Sequence, residues 1–189
     1  MILSQPFIII YLMNFMSICS GFFAVNNFKF YGIKKGLTDE NYLAWLGSIA
    51  AVCNSIRFIW SFATDYFSYK VVYGVLLLMQ IGLDFSIPYI SENASLYFLW
   101  VCLLLLCEGG HFTLVPNVLK KIYGEKGTLL YGIAFSYTGI CSILLVVLQT
   151  FLLTSEARSY DIFFFVNGAL SILALIILVL LFKEEKFIH

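Results

Sequence analysis

The chain has 189 residues, of which 61% are hydrophobic and 12% charged, against roughly 45–50% apolar and 25% charged in a water-soluble domain. That balance excludes an ordinary soluble core and points to a polytopic membrane protein. Eleven Lys and Arg offset eleven Asp and Glu, so the net charge of zero gives no footing for nucleic-acid binding.

The expected fold is an all-α bundle of six transmembrane helices forming a single domain over residues 1–189. The first span, about 7–28, is long enough to cross a bilayer of ~30 Å. It lacks the basic leader of a cleavable signal, and no Arg precedes Arg57 as a mitochondrial transit peptide would require. Its polar residues are Asn14, Ser17, Ser20, Asn26 and Asn27. A loop with Lys29, Lys34, Lys35, Asp39 and Glu40 follows, with Gly32 and Gly36 as breakers. The second span, about 42–63, carries Asn54 and Arg57, with Asp65 just beyond it. The third, about 71–90, contains Asp84 and Pro88, and the fourth, about 94–119, contains Glu108, Gly109, Gly110, His111 and Pro116. A basic connector over 120–126 leads to an uncharged fifth span, about 128–155. The sixth, about 162–182, ends in Lys183-Glu-Glu-Lys.

Six spans place both termini on one side of the membrane. Lys70, Lys120, Lys121, Lys126, Lys183 and Lys186 fall on that side, and Lys29, Lys34, Lys35 and Arg158 on the other. The positive-inside bias therefore puts the termini in the cytoplasm, or in the matrix if the membrane is mitochondrial. Asn93-Ala94-Ser95 fits the glycosylation pattern but lies too close to the membrane for ready modification. The five cysteines, Cys19, Cys53, Cys102, Cys107 and Cys141, all fall in apolar runs and read as packing residues, not a disulfide frame.

The ionisable residues inside the spans carry the functional signal, because a charge in hydrocarbon is costly and usually faces a partner, a cavity or a transport path. Asn54, Arg57, Ser61 and Asp65 are spaced by three, four and four residues, which puts them on one stripe of a continuous helix. Arg57 falls ~22 Å from the start of its helix and Glu108 ~21 Å from the start of its own, so the two share a depth. Two readings stand side by side: an Arg reaching the interface beside a helix-ending Asp, or an inner-face charge lock of Arg57, Asp65 and Glu108. His111, Asp84 and Asn54 are candidate proton or substrate contacts. Gly109, Gly110 and Gly132 are positions for close helix approach. No metal, haem or other cofactor is expected, since His111 is the sole intramembrane His and His189 is the last residue. No nucleophile–base pair, zinc-binding H-E-x-x-H or phosphate loop is present, so the chain does not read as an enzyme.

Asn54-x-x-Arg57-x-x-x-Ser61-x-x-x-Asp65-x-x-x-x-Lys70 resembles the inner-loop signature of the major facilitator superfamily. The family normally has Gly at the position of Ser61 and basic residues where Tyr66 and Tyr69 stand. Glu108-Gly-Gly-His-Phe112, Pro116, Tyr123-Gly124, Tyr131-Gly132 and Gly139 are similar to the tenth and eleventh spans of its oxalate/formate-antiporter and monocarboxylate-transporter-like branch. The resemblance covers roughly residues 44–142. It implies the C-terminal six-helix half of a twelve-helix carrier, made of two inverted three-helix repeats, with the first, second, fourth and fifth spans lining a cavity.

The fifth span carries none of the basic residues that such carriers use to pair an anion, and a half alone has nothing to rock against. The favoured expectation is therefore a non-transporting accessory or structural subunit of a larger membrane assembly, such as a respiratory complex, with lipid and other membrane subunits as partners. The alternative is a transporter half that pairs with a second six-helix half to move a small organic anion such as a monocarboxylate, with a proton carried by Glu108 or His111. A third reading, a piece of a longer carrier, is weakened by the opening Met1.

Overall fold

The computed structural model describes residues 2–153 and 156–184. Among them there is no strand, and eight helices follow one another: α1 (Gln5–Lys34), α2 (Glu40–Ser55), α3 (Phe58–Tyr66), α4 (Tyr69–Ile90), α5 (Ala94–Tyr123), α6 (Lys126–Ala134), α7 (Ser136–Leu152) and α8 (Ala157–Leu180). α2 with α3 and α6 with α7 are consecutive segments of two interrupted helices, so the described residues form six helices long and apolar enough to cross a membrane. The protein is thus an all-α bundle of the integral membrane kind, as its composition requires.

Local chemistry sets the boundaries. Asp39 caps α2 by accepting from the amides of Asn41 and Tyr42, Ser68 caps α4 through Val71 N, and Asn93 caps α5 through Leu96 N. Gly36 and Gly124 follow the ends of α1 and α5 with φ of 91° and 60°, a left-handed region that other residues enter at a cost. The first span runs six residues beyond its expected end at 28, because Asn26 and Asn27 turn their amides back onto the carbonyls of Phe22 and Phe23 and so satisfy themselves along the helix. The fourth extends to Tyr123, and the sixth begins at Ala157, five residues before its expected start. Ser155, the expected end of the fifth span, and Lys186 and His189 lie outside the described residues.

α1 and α5 form the centre. α8 packs along both α1 and α4, α4 packs on α5, α2 and α3 lie against α5, α6 returns along α5, and α7 rests on α1. Where the bundle seals itself, it uses polar seams. On the terminal side Ser4 meets Tyr123, and the Glu184 carboxylate accepts from the amides of Tyr69 and Lys70. Lys70 Nζ in turn donates to the carbonyls of Val179 and Phe182 at the end of α8. On the opposite side Lys35 pairs with Asp161 at 3.1 Å, and Tyr31 donates to the same carboxylate at 2.6 Å.

Candidate functional site

The second span loses its α-helical register after Ser55. The amide of Arg57 bonds to Asn54 O and the amide of Trp60 to Arg57 O, both three residues back, so the backbone tightens through one turn of 3₁₀ geometry before α3 begins. The fifth span does the same at Phe135, where the amide of Thr138 bonds three residues back to Phe135 O. A threonine hydroxyl lies beside each turn: Thr113 Oγ1 is 3.3 Å from Arg57 O and 3.1 Å from Gly110 O of its own helix, and Thr138 donates to Phe135 O at 2.7 Å. Neither turn contains proline or glycine.

The two interruptions share one open cleft of about 360 Å³, lined by Arg57, Phe112, Thr113, Tyr131 and Phe135. Arg57 is four residues past the midpoint of the helix Glu40–Tyr66, about 6 Å along its axis, so it sits nearer the middle of its span than the end. Its guanidinium lies 5.9 Å from the ring centroid of Phe112, a cation–π arrangement. Among the described residues its side chain forms no ion pair within 4 Å and no hydrogen bond.

Arg57 thus makes no ion pair within 4 Å with Asp65 or Glu108, although Glu108 lies within electrostatic reach of its guanidinium. The physical reason is the turn at Ile56 and Arg57, which interrupts the single stripe that the spacing presupposes. Glu108 is instead held by Asn54, whose amide donates to its carboxylate at 2.8 Å, and its Cβ and Cγ lie over the backbone of Gly21. Asp65 is exposed near the end of α3. What fixes α3 to α5 is a row of hydrogen bonds without an ion pair: Trp60 Nε1 to Leu106 O at 3.0 Å, Asn117 Nδ2 to Ser61 Oγ at 2.6 Å, and the charged Lys121 Nζ to Thr64 O at 3.0 Å.

Gly109 and Gly110 do allow close approach. A Cβ on Gly109 would stand 2.7 Å from Asn54 O and from Arg57 Cβ, and one on Gly110 would collide with Leu76 Cδ1 and press on the Trp60 indole. Gly132 does not: it is exposed on the open side with nothing within 4 Å of the Cβ it lacks.

His111 and Asp84 lie away from the cleft, within the bundle. His111 is fully buried, with Nε2 3.1 Å from Gln80 Oε1 and Nδ1 3.4 Å from both Asn14 Oδ1 and Tyr73 Oη. Gln80 Nε2 donates to Ser17 O and to Ser171 Oγ, and Tyr73 Oη is 2.9 Å from Ser17 Oγ. Asp84, one turn beyond Gln80, accepts from Ser20 at 2.7 Å, while its second oxygen is buried without a partner. This network joins α1, α4, α5 and α8. Sequence reasoning singled out His111 and Asp84 but missed Gln80 and Tyr73, although Tyr73, Gln80 and Asp84 recur at helical spacing along α4. No group of three or more His, Cys, Asp or Glu that could hold a metal ion occurs among the described residues.

Fold and site together define an integral membrane helical bundle with a polar interior and an arginine-bearing cleft between two interrupted helices. No protein-family model matches the chain, and no curated protein matches it.

Proposed function

We propose that this bundle is one half of a secondary carrier of the major-facilitator type, and that Arg57 binds a small organic carboxylate once a second six-helix half closes over the cleft. One observation carries the reading: the cleft between the two interrupted helices holds an exposed arginine with no ion pair within 4 Å among the described residues, and the nearby Glu108 carboxylate is taken up by Asn54. An arginine at that depth is costly unless it faces a partner or an aqueous cavity. Its planar fork suits a carboxylate. The rings of Phe112, Tyr131 and Phe135 offer an apolar wall to the rest of a small monocarboxylate.

The helix pairings support an inverted repeat. The fourth span packs on the second and third, the first span packs on the fifth and sixth, and the third packs on the sixth. Exchanging the first three spans for the last three leaves those pairings unchanged, while the packing of the fourth span on the fifth has no comparable counterpart between the first and the second. The two interrupted helices, second and fifth, are equivalent under the same exchange, and such paired interruptions mark the binding region in repeat-built transporters.

The test is uptake of labelled small carboxylates into liposomes holding the purified chain at high density, where a second copy can act as the other half. Saturable uptake lost on Arg57→Gln and partly kept in Arg57→Lys is the expected result. Absence of uptake, together with no carboxylate-dependent rise in thermal stability, would overturn the proposal.

A second reading, the accessory subunit, draws on α7. Its exposed face beyond the interruption is dominated by Ile143, Val146, Val147 and Phe151, with only the hydroxyls of Ser142 and Thr150 among them and no charged group. In that case the chain purified gently from its membrane would carry an unrelated subunit cross-linked to the second and fifth spans, and liposome uptake would be nil.

A further inference from the structure

On the flank formed by α1, α7 and α8 lies a crevice of about 190 Å³. Its wall is built from Phe15, Met16, Leu148, Phe163 and Val166 among others, and its one amide side chain is Asn167. Asn167 is only 2% exposed, and its Nδ2 is buried with no hydrogen-bond partner. Leu144, Leu148 and Val166 of the same crevice are exposed, so it opens on the side where lipid would lie.

A buried amide donor without a partner is costly, and the large majority of buried side-chain polar atoms in folded proteins are satisfied by protein or water. Water is a poor candidate here. A held water needs two to four polar partners, and the crevice supplies Asn167 and the weak thiol of Cys19, the latter already directed at Phe15 O. Depth narrows the choice further. Asn167 is ten residues from the first residue of α8 and thirteen from the last, about 15 Å and about 20 Å along the axis. In a hydrocarbon layer ~30 Å thick, that is close to the middle, where a phospholipid presents methylene chains and not its ester carbonyls.

We infer that this crevice binds a neutral, bilayer-soluble carbonyl lipid of the quinone class, whose carbonyl oxygen accepts a hydrogen bond from Asn167 Nδ2. The crevice has room for about six water-sized volumes at ~30 Å³ each, which suits a substituted ring with its tail lying along the exposed side of α7 and α8. The site shares no residue with the Arg57 cleft, so it stands whether or not the chain carries carboxylates.

The experiment is thermal unfolding of the purified chain in detergent with a benzoquinone bearing a decyl tail, and with decylbenzene as a probe of equal tail and no carbonyl. The quinone is expected to raise the midpoint by about 2–4 °C at saturation, and decylbenzene by less than half as much. Asn167→Leu should abolish the difference between the probes, and Leu148→Trp, which fills the crevice and keeps Asn167, should abolish the response to both. Equal responses to the two probes in the wild-type chain overturn the inference, as does a quinone response that survives in either variant. Should Asn167→Leu fail to fold, the wild-type comparison of the probes and the Leu148→Trp result decide the matter alone.

Discussion

Gly109→Ala tests whether the seam between α5 and the interrupted second span positions Arg57. The added methyl would sit 2.7 Å from Asn54 O and 2.7 Å from Arg57 Cβ, whereas non-bonded carbons rest about 3.5–4.0 Å apart. Relief requires a movement approaching 1 Å, and one of the obstructing atoms is a backbone oxygen that cannot rotate away. Overpacking of this kind costs about 1–3 kcal/mol, offset by about 0.5–1 kcal/mol from replacing glycine inside a helix. The net loss of about 1–2 kcal/mol lowers the unfolding midpoint by about 2–8 °C for a chain of this size. Unfolding in detergent followed by tryptophan fluorescence is a suitable assay, since Trp60 lies in the same seam. Gly82→Ala is the internal control: it lies in the interior of α4 with nothing within 4 Å of the added methyl, so it should be neutral or stabilising by up to about 1 kcal/mol. Equal midpoints for the two variants would refute the close-approach reasoning.

Tyr73→Phe removes a hydroxyl that meets Ser17, Asn14 and His111 and should cost about 1–3 kcal/mol by chemical denaturation. Tyr137→Phe removes one with no partner and should cost nothing or stabilise; the reverse order would sink the network assignment. A double-mutant cycle on Lys35→Met and Asp161→Asn should return a coupling of about 0.5–3 kcal/mol, and a value indistinguishable from zero would mean that this ion pair does not hold α1 to α8. Glu184→Ala should lower stability by about 0.5–2 kcal/mol through the loss of the cap on α4, and an unchanged midpoint would show that the contact is not held in solution.

The six spans were legible because an apolar run of bilayer length leaves few alternatives. Polar residues inside them were legible as candidates but not as partners. The helical stripe of Asn54, Arg57, Ser61 and Asp65 assumed an unbroken 3.6-residue register, and one tight turn at Ile56 and Arg57 invalidates it. That turn could not be read from composition. The prolines that advertise a kink, Pro88 and Pro116, sit inside α4 and α5, which continue through them, while both interruptions fall at sequences without proline. The setting of the first turn is tertiary: Trp60 Nε1 bonds Leu106 O, and Gly109 lets Asn54 O and Arg57 Cβ come close against α5. Arg57 was placed toward the inner surface by counting from one end of its helix, and counting from the midpoint brings it to within about 6 Å of the centre.

The placement of the interruptions bears on what covers them. In the most apolar stretches of the second and fifth spans, 22% and 33% of residues are buried, against 61% in the first and fourth. The least covered helices are therefore the ones with irregular backbone. The turns are bonded within themselves, since the amides of Arg57, Ile59, Trp60 and Thr138 reach carbonyls three residues back, so the cost of facing hydrocarbon falls on the exposed guanidinium of Arg57. Irregular backbone at membrane depth persists where protein buries it or where water lines it. The carbonyls of Arg57 and Phe135 already accept from the amides of Trp60 and Thr138, which leaves the exposed guanidinium between the turns as the unsatisfied group. A lipid-facing role for that face is thus the costliest of the arrangements. A second bundle enclosing a wet cleft satisfies the arginine, whereas an unrelated apolar subunit would have to bring its own carboxylate to Arg57.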